Sequence, residues 1–193
     1  MMIYLIRHGQ DDPNRLGGWS EYPLTDIGIA QVEAAADFLS TKGIQEIYSS
    51  DIIRAKQTAE IIAEKLNLQV EYTPEFRESN NGDMAGITHE EAEERFPGIW
   101  WSNLDWDQHW PNGESPHQFY ERIIKAWLNL KVYTKGKTAL LVTHGGVMNL
   151  IMCYENNIPY TNKKNEYQLE ETEVVLYDED NIRRMNNIKS TNC

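Results

Sequence analysis

The stretch MIYLI at residues 2–6 is apolar throughout, and TALLVT at 138–143 is nearly so. Successive side chains of a strand point to opposite faces, so a half-exposed strand alternates apolar and polar residues. A short run without alternation belongs to a strand buried on both faces. Such strands need helices above and below, which restricts the chain to a mostly parallel sheet between two helical layers.

The intervening sequence supplies the helices. Thr25 reads as an N-cap, with Asp26 complementing the positive end of the helix and Ala35, Phe38 and Leu39 forming its apolar stripe; Gly43 marks its end. EIYSS (46–50) predicts a second strand. Asp51 is expected to cap a second helix that carries Ala55, Thr58, Ile62 and Leu66 on one side. LQVEY (68–72) predicts a third strand, closed by Pro74. Further on, Ser115, Pro116 and Gln118 give a cap, a favoured first position and a capping-box partner for a helix to Tyr133. A helix over GGVMNLIMCYENN follows, then a hairpin from TEVVLY and NIRRM split by DEDN. The tail after Ile188 is polar and expected to be loose.

Residues 74–114 break this rhythm. They contain THEEAEERF, where Thr88 and Glu91 suggest a capping box, and a tryptophan-rich loop with Trp100, Trp101, Trp106 and Trp110. The expectation is a helical and loop lid inserted into one domain spanning 1–193. The tryptophans serve mainly to pack the insertion. The fold class is therefore α/β, a three-layer sandwich with a mostly parallel central sheet, helices on both faces and a lid insertion.

Charge and cysteine usage narrow the function. The formal net charge of −12 repels nucleic acid and anionic lipid, so neither is expected as a partner. No apolar run approaches the roughly 20 residues that cross a bilayer. With no secretory leader visible, a cytoplasmic protein is expected. Cys153 lies in an apolar stretch and Cys193 is the last residue, so neither a disulfide framework nor a cysteine nucleophile is indicated.

In open α/β sheets, ligands bind beyond the carboxyl ends of the strands. Two apolar runs deliver a histidine and a glycine to that edge: Arg7-His8-Gly9 after the first, Thr143-His144-Gly145-Gly146 after the later one. Glycine lets the backbone turn and a ligand approach. At HGG the chain passes from strand to helix, so the N–H group of Gly145 and the positive helix end face the same place. Arg54 falls in the first turn of the second helix, near the same edge, and Glu78 opens the insertion. Guanidinium groups offer planar donor forks for phosphate, a neutral imidazole can attack phosphorus, and a carboxylic acid can protonate a leaving alkoxide. This set points to phosphoryl transfer. The sequence offers no clear metal-ligand cluster, and no metal or other cofactor is expected.

These motifs, LIRHGQ with Asn14 seven places after Arg7, GWSEYPLTDIGIAQ, SSDIIRAKQTAEII, FRESNNGDMAGIT, PNGES and LLVTHGGVMN, resemble the histidine phosphatase superfamily in its phosphoglycerate mutase-like branch. The resemblance covers residue 3 to about 150. It implies that His8 is the nucleophile and forms a phosphohistidine. It further implies that Arg7, Arg54 and His144 bind the phosphoryl group with help from Asn14, that Glu78 donates the proton, and that PNGES shapes the site. Two departures stand out. Ala85 lies where family members often carry Glu, and Asp11, followed by Asp12, lies where mutases usually have serine. Carboxylates at the mouth repel a bisphosphorylated ligand. The expected function is a metal-independent phosphatase of small phosphomonoesters. A phosphoglycerate-mutase-type phosphotransferase is the alternative, and a non-catalytic phospholigand binder is a weaker one.

Overall fold

The computed structural model describes residues 1–179 and 181–185. The expectations for the tail after Ile188 and for Cys193 lie outside these residues. Among the described residues six strands form one sheet: β1 (Met2–Arg7), β2 (Glu46–Ser50), β3 (Val70–Thr73), β4 (Thr138–Thr143), β5 (Val174–Asp178) and β6 (Asn181–Arg184), in the order β3-β2-β4-β1-β5-β6. The four strands from β3 to β1 run parallel, while β5 and β6 add an antiparallel edge.

The register places the functional edge. β1 and β4 pair from Met2 opposite Thr138 to Arg7 opposite Thr143, and the His8 amide then donates to the Thr143 carbonyl at 2.9 Å. His8 and His144 therefore leave the sheet side by side.

Alternate residues of β1 face different helical layers. Tyr4 and Ile6 pack with Val32, Ala36, Leu39, Ala59 and Ile62 from α1 (Asp26–Leu39) and α2 (Ile53–Leu66). Ile3 and Leu5 pack with Phe119, Ile123, Trp127, Val147 and Ile151 from α4 (Pro116–Tyr133) and α5 (Gly145–Glu155). These central residues are fully buried on both faces, as the unbroken apolar runs require. Each such aliphatic side chain contributes about 1.5–3 kcal/mol by leaving water. Among the described residues no helix is long and apolar enough to cross a membrane.

Several helix ends follow the sequence. The Thr25 hydroxyl accepts from the Gly28 amide at 3.0 Å. Ser115 and Gln118 form a complete capping box, each side chain accepting from the other's amide at 3.2 Å. Others differ. α1 stops at Leu39, and Gly43 sits four residues beyond it with positive φ. β3 begins at Val70 and extends to Thr73, displaced toward the C-terminus from the expected span. Asp51 does not cap α2; Ile52 occupies that position with no side-chain bond, because the Asp51 carboxylate is taken by Arg77 Nε at 2.5 Å and Nη2 at 2.6 Å. Thr88 caps α3 (His89–Arg95) from one side only, since the Glu91 carboxylate turns to Arg95 at 2.7 Å.

Residues 74–114 form two short 3-10 turns, α3 and irregular chain. Met84, Ala92, Leu104 and Trp110 make a small cluster, with Trp100 and Trp101 partly buried against it. Trp101 stacks on Trp110 at 6.1 Å and meets the edge of Phe119 at 5.5 Å, joining this cluster to the main core. Asn162 ties it from the far side, donating to the carbonyls of Trp101 and Leu104 at 2.6 and 2.8 Å.

Candidate active site

Three strand ends and two helix starts converge beyond β1, β2 and β4. His8 follows β1, and Gly9 bends the chain against α1 so closely that a Cβ there would lie 2.6 Å from the Gly28 carbonyl oxygen. The Gly9 amide donates to Thr58 Oγ1 of α2 at 3.1 Å, anchoring the turn. His144 is the N-cap of α5, with extended backbone and no exposed surface.

Arg54, the second residue of α2, touches both imidazoles and is 2% exposed. Its Nε donates to His8 Nε2 at 3.1 Å, and its Nη2 lies 3.4 Å from His144 Nδ1. A guanidinium can only donate, so both ring nitrogens facing it carry lone pairs. The other nitrogens hold the protons: His8 Nδ1–H donates to the Gly9 carbonyl at 2.7 Å and His144 Nε2–H to Ser50 Oγ at 2.8 Å. The rings are 5.1 Å apart. Burial first, and then the positive charge of Arg54, lowers both imidazole pKa values well below the ordinary histidine range. Both are neutral at pH 7. Arg54 is itself pinned by the carbonyls of Ser20 and Gly18 at 3.2 and 2.8 Å.

Arg7 reaches the same cavity from the end of β1. Its Nη1 donates to the Leu169 carbonyl at 2.6 Å and its Nη2 pairs with Glu171 at 3.1 Å. Its Nε is buried without a hydrogen-bond partner, a donor left over for a ligand. The Arg7 stem passes over the start of α5, where a Cβ on Gly145 would make ordinary contact with it at 3.6 Å.

Glu78 lines the same cavity. Its Oε2 accepts from the Gly146 amide and its Oε1 from the Ser79 amide, both at 2.9 Å. The turn that carries it is held by Arg122 of α4, which donates to the carbonyls of Glu75, Arg77 and Glu78. Glu114 fixes Arg122 at 2.6 Å and accepts from the Asn80 amide at 2.8 Å. The PNGES motif thus shapes the site indirectly, through the scaffold under Glu78.

The structure brings together Arg7, His8, Arg54, Glu78, His144 and the amide end of α5. Asn14 stands apart: it is exposed, its amide donates to Asp12 Oδ1 at 3.2 Å, and it does not line the cavity. Nor do the tryptophans of 100–110; Glu78 alone represents residues 74–114 there. The cavity, about 590 Å³, has a second wall from residues 165–171, including Tyr167 and Glu171. That wall and Ser50 beneath His144 escaped the sequence reading as site partners, while Asp11, expected at the mouth, lies beside Arg54 at 3.4 Å. Cys153 is buried, with its thiol pushed up to about 11 by burial, and takes no part. Among the described residues no group of three or more His, Cys, Asp or Glu side chains is placed to hold a metal ion.

Residues 3–188 match the histidine phosphatase superfamily (branch 1). The chain belongs to that superfamily. It is 34% identical over 169 residues to phosphoglycerate mutase-like protein 4 of Arabidopsis thaliana, covering 83% of this chain and 73% of that protein. It is 32% identical over 167 residues to the probable phosphoglycerate mutase GpmB of Yersinia pestis, covering 82% and 76%. Among solved structures, the α-ribazole phosphatase of Shigella flexneri superposes with a TM-score of 0.84 at 25% identity, covering 97% of this chain and 96% of that one. A mycobacterial glucosyl-3-phosphoglycerate phosphatase gives 0.77 at 26% identity, covering 91% and 88%. The fold of this histidine phosphatase superfamily member is thus α/β with a mixed six-stranded sheet, and the protein is an enzyme.

Proposed function

We propose that the protein hydrolyses small phosphomonoesters through a phosphohistidine at His8, with no metal ion taking part. The observation that carries this reading is the His8 ring itself. Its Nδ1 proton is committed to the Gly9 carbonyl, its Nε2 lone pair faces Arg54 where both residues line the cavity, and its neutrality follows from burial and from Arg54. The site holds an imidazole ready to attack and two guanidinium groups to receive the oxygens.

Phosphoryl oxygens take N–H groups of Arg54 and Arg7 and the amide end of α5, which frees the His8 lone pair to attack phosphorus. The N–P bond forms as the ester P–O bond breaks, and the leaving alkoxide takes a proton from the Glu78 carboxylic acid. Glu78, now a carboxylate, accepts a proton from water as the water oxygen attacks phosphorus. The P–N bond breaks, inorganic phosphate leaves and His8 returns to its neutral form. His144 contacts the same guanidinium; once the Ser50 hydroxyl donates to its Nε2, its Nδ1 carries the proton and donates to a phosphoryl oxygen.

The relatives named as mutases favour a second reading, in which phosphohistidine returns its phosphoryl group to another hydroxyl of the substrate. Asp11 and Glu171, each beside a clamp arginine, weigh against a bisphosphorylated ligand. The test is product analysis with 3-phosphoglycerate and with nitrophenyl phosphate in the presence of EDTA. Free phosphate without positional isomer supports the phosphatase. Accumulation of the 2-isomer, or loss of activity in EDTA, contradicts it.

A further inference from the structure

The cavity carries more negative charge than the chemistry proposed for it requires. Each clamp arginine already faces a carboxylate from a flanking segment. Asp11 Oδ2, in the loop after β1, lies 3.4 Å from Arg54 Nε, and Glu171 Oε1, in the turn before β5, lies 3.1 Å from Arg7 Nη2. Asp12 and Glu170 also line the cavity, where Arg7, Arg15 and Arg54 are the cations, and Arg15 pairs with Asp12 at 3.4 Å. The lysines just before the second wall do not help. Lys163 donates to the Leu104 carbonyl and Lys164 pairs with Glu166 at 2.9 Å, and neither lines the cavity.

A phosphoryl group bound to Arg54 and to the free Nε of Arg7 draws on the same two positive charges that compensate Asp11 and Glu171, and leaves both carboxylates beside a dianion. Like charges a few ångströms apart in a partly buried cleft repel strongly, and water screens them poorly there. Burial pushes the Asp11 carboxyl pKa up against the opposing charges of Arg54 and Arg7, and the charge of Glu171 adds to the rise. A cation is needed, and the wall supplies none.

Resting on the hydrolase reading above, we propose that the substrate brings that cation: a phosphomonoester with an amino or quaternary ammonium group a short carbon chain from the ester oxygen, recognised by Asp11 and Glu171. The same two residues select against esters bearing a carboxylate or a second phosphate. The 590 Å³ cavity leaves ample space beside the phosphoryl group for such a chain.

The test compares three esters that share a two-carbon frame, O-phosphoethanolamine, 2-hydroxyethyl phosphate and 3-phosphooxypropanoate, by kcat/KM on the wild type, D11N and E171Q. Intrinsic leaving-group differences cancel when each variant is compared with the wild type. The wild type should prefer the ammonium ester to the carboxylate ester by about tenfold or more. Each variant should compress that ratio, mainly through KM. Raising salt from about 50 to about 500 mM should compress it in the wild type, a readout that does not depend on variant folding. No ammonium preference, or a preference that survives both variants and high salt, overturns the proposal. Phosphate release without ranking overturns this selectivity alone; no release from these esters or from nitrophenyl phosphate overturns the hydrolase reading as well.

Discussion

Arg54 Nε lies 3.1 Å from His8 Nε2, so the side chain proposed to hold the phosphoryl oxygens also holds the proposed nucleophile in its neutral tautomer. The same guanidinium reaches His144 and is fixed by two backbone carbonyls. A lysine has one point charge and no fork. Arg54→Lys should lower kcat/KM by about 10²–10³-fold, the loss typical of a removed transition-state donor. Steady-state kinetics on nitrophenyl phosphate checks this, and a loss below about threefold would remove Arg54 from the clamp.

Glu78 should matter in proportion to how badly the leaving group needs a proton. Glu78→Gln is expected to slow alkyl phosphates by about 10²–10⁴-fold and nitrophenyl phosphate much less. Gly146→Ala should do the same by displacement, because a Cβ there would lie 2.5 Å from Glu78 Oε1. Equal losses on both substrates would show that Glu78 is not the acid.

The two buried imidazoles make stability depend on pH. Their folded pKa values lie well below 6.5, so as pH falls below 6.5 the unfolded chain binds protons that the native state refuses. Their contribution is intact above pH 6.5 and is lost on acidification until the depressed values are reached. The slope is up to about 1.4 kcal/mol per pH unit for each imidazole. Urea unfolding between pH 6.5 and 5 should show it, and His144→Asn should reduce it by about half. His117 acts at higher pH, because its ion pairs with Asp107 and Glu121 raise its pKa.

Trp110 is 6% exposed within the cluster of Met84, Ala92 and Leu104, stacked on Trp101, and absent from the cavity wall. Trp110→Ala should cost about 3–5 kcal/mol of stability while leaving KM for nitrophenyl phosphate within about twofold. Chemical denaturation and kinetics on the folded fraction separate the two. A large KM change with unchanged stability would instead make this segment part of the substrate site.

Much of this architecture was legible because it follows from local chemistry. The unbroken runs of β1 and β4 gave a doubly covered sheet, and the hydroxyls of Thr25 and Ser115 gave helix starts. A histidine at each strand end gave the converging edge. What remained hidden depended on partners distant in sequence. Asp51 looks like a cap until Arg77, on a later turn, offers its carboxylate a two-pronged bond. Asn14 follows the family spacing, yet Asp12 lies within reach of its amide. The second wall was invisible because residues 161–173 have no regular periodicity and contribute the Leu169 carbonyl, which no side-chain type announces. PNGES showed no chemistry of its own, since Glu114 acts through Arg122 and the Asn80 amide, on the scaffold under Glu78.

The most direct measurement of the central claim is to trap the intermediate. Protein incubated briefly with a phosphomonoester labelled at phosphorus, then quenched in base, should carry label that resists alkali, is lost in acid, and maps to His8. The label should vanish in His8→Ala together with phosphate release. Rapid phosphate release by the wild type with no label trapped on the fastest timescale, or label that persists in His8→Ala, would contradict the account.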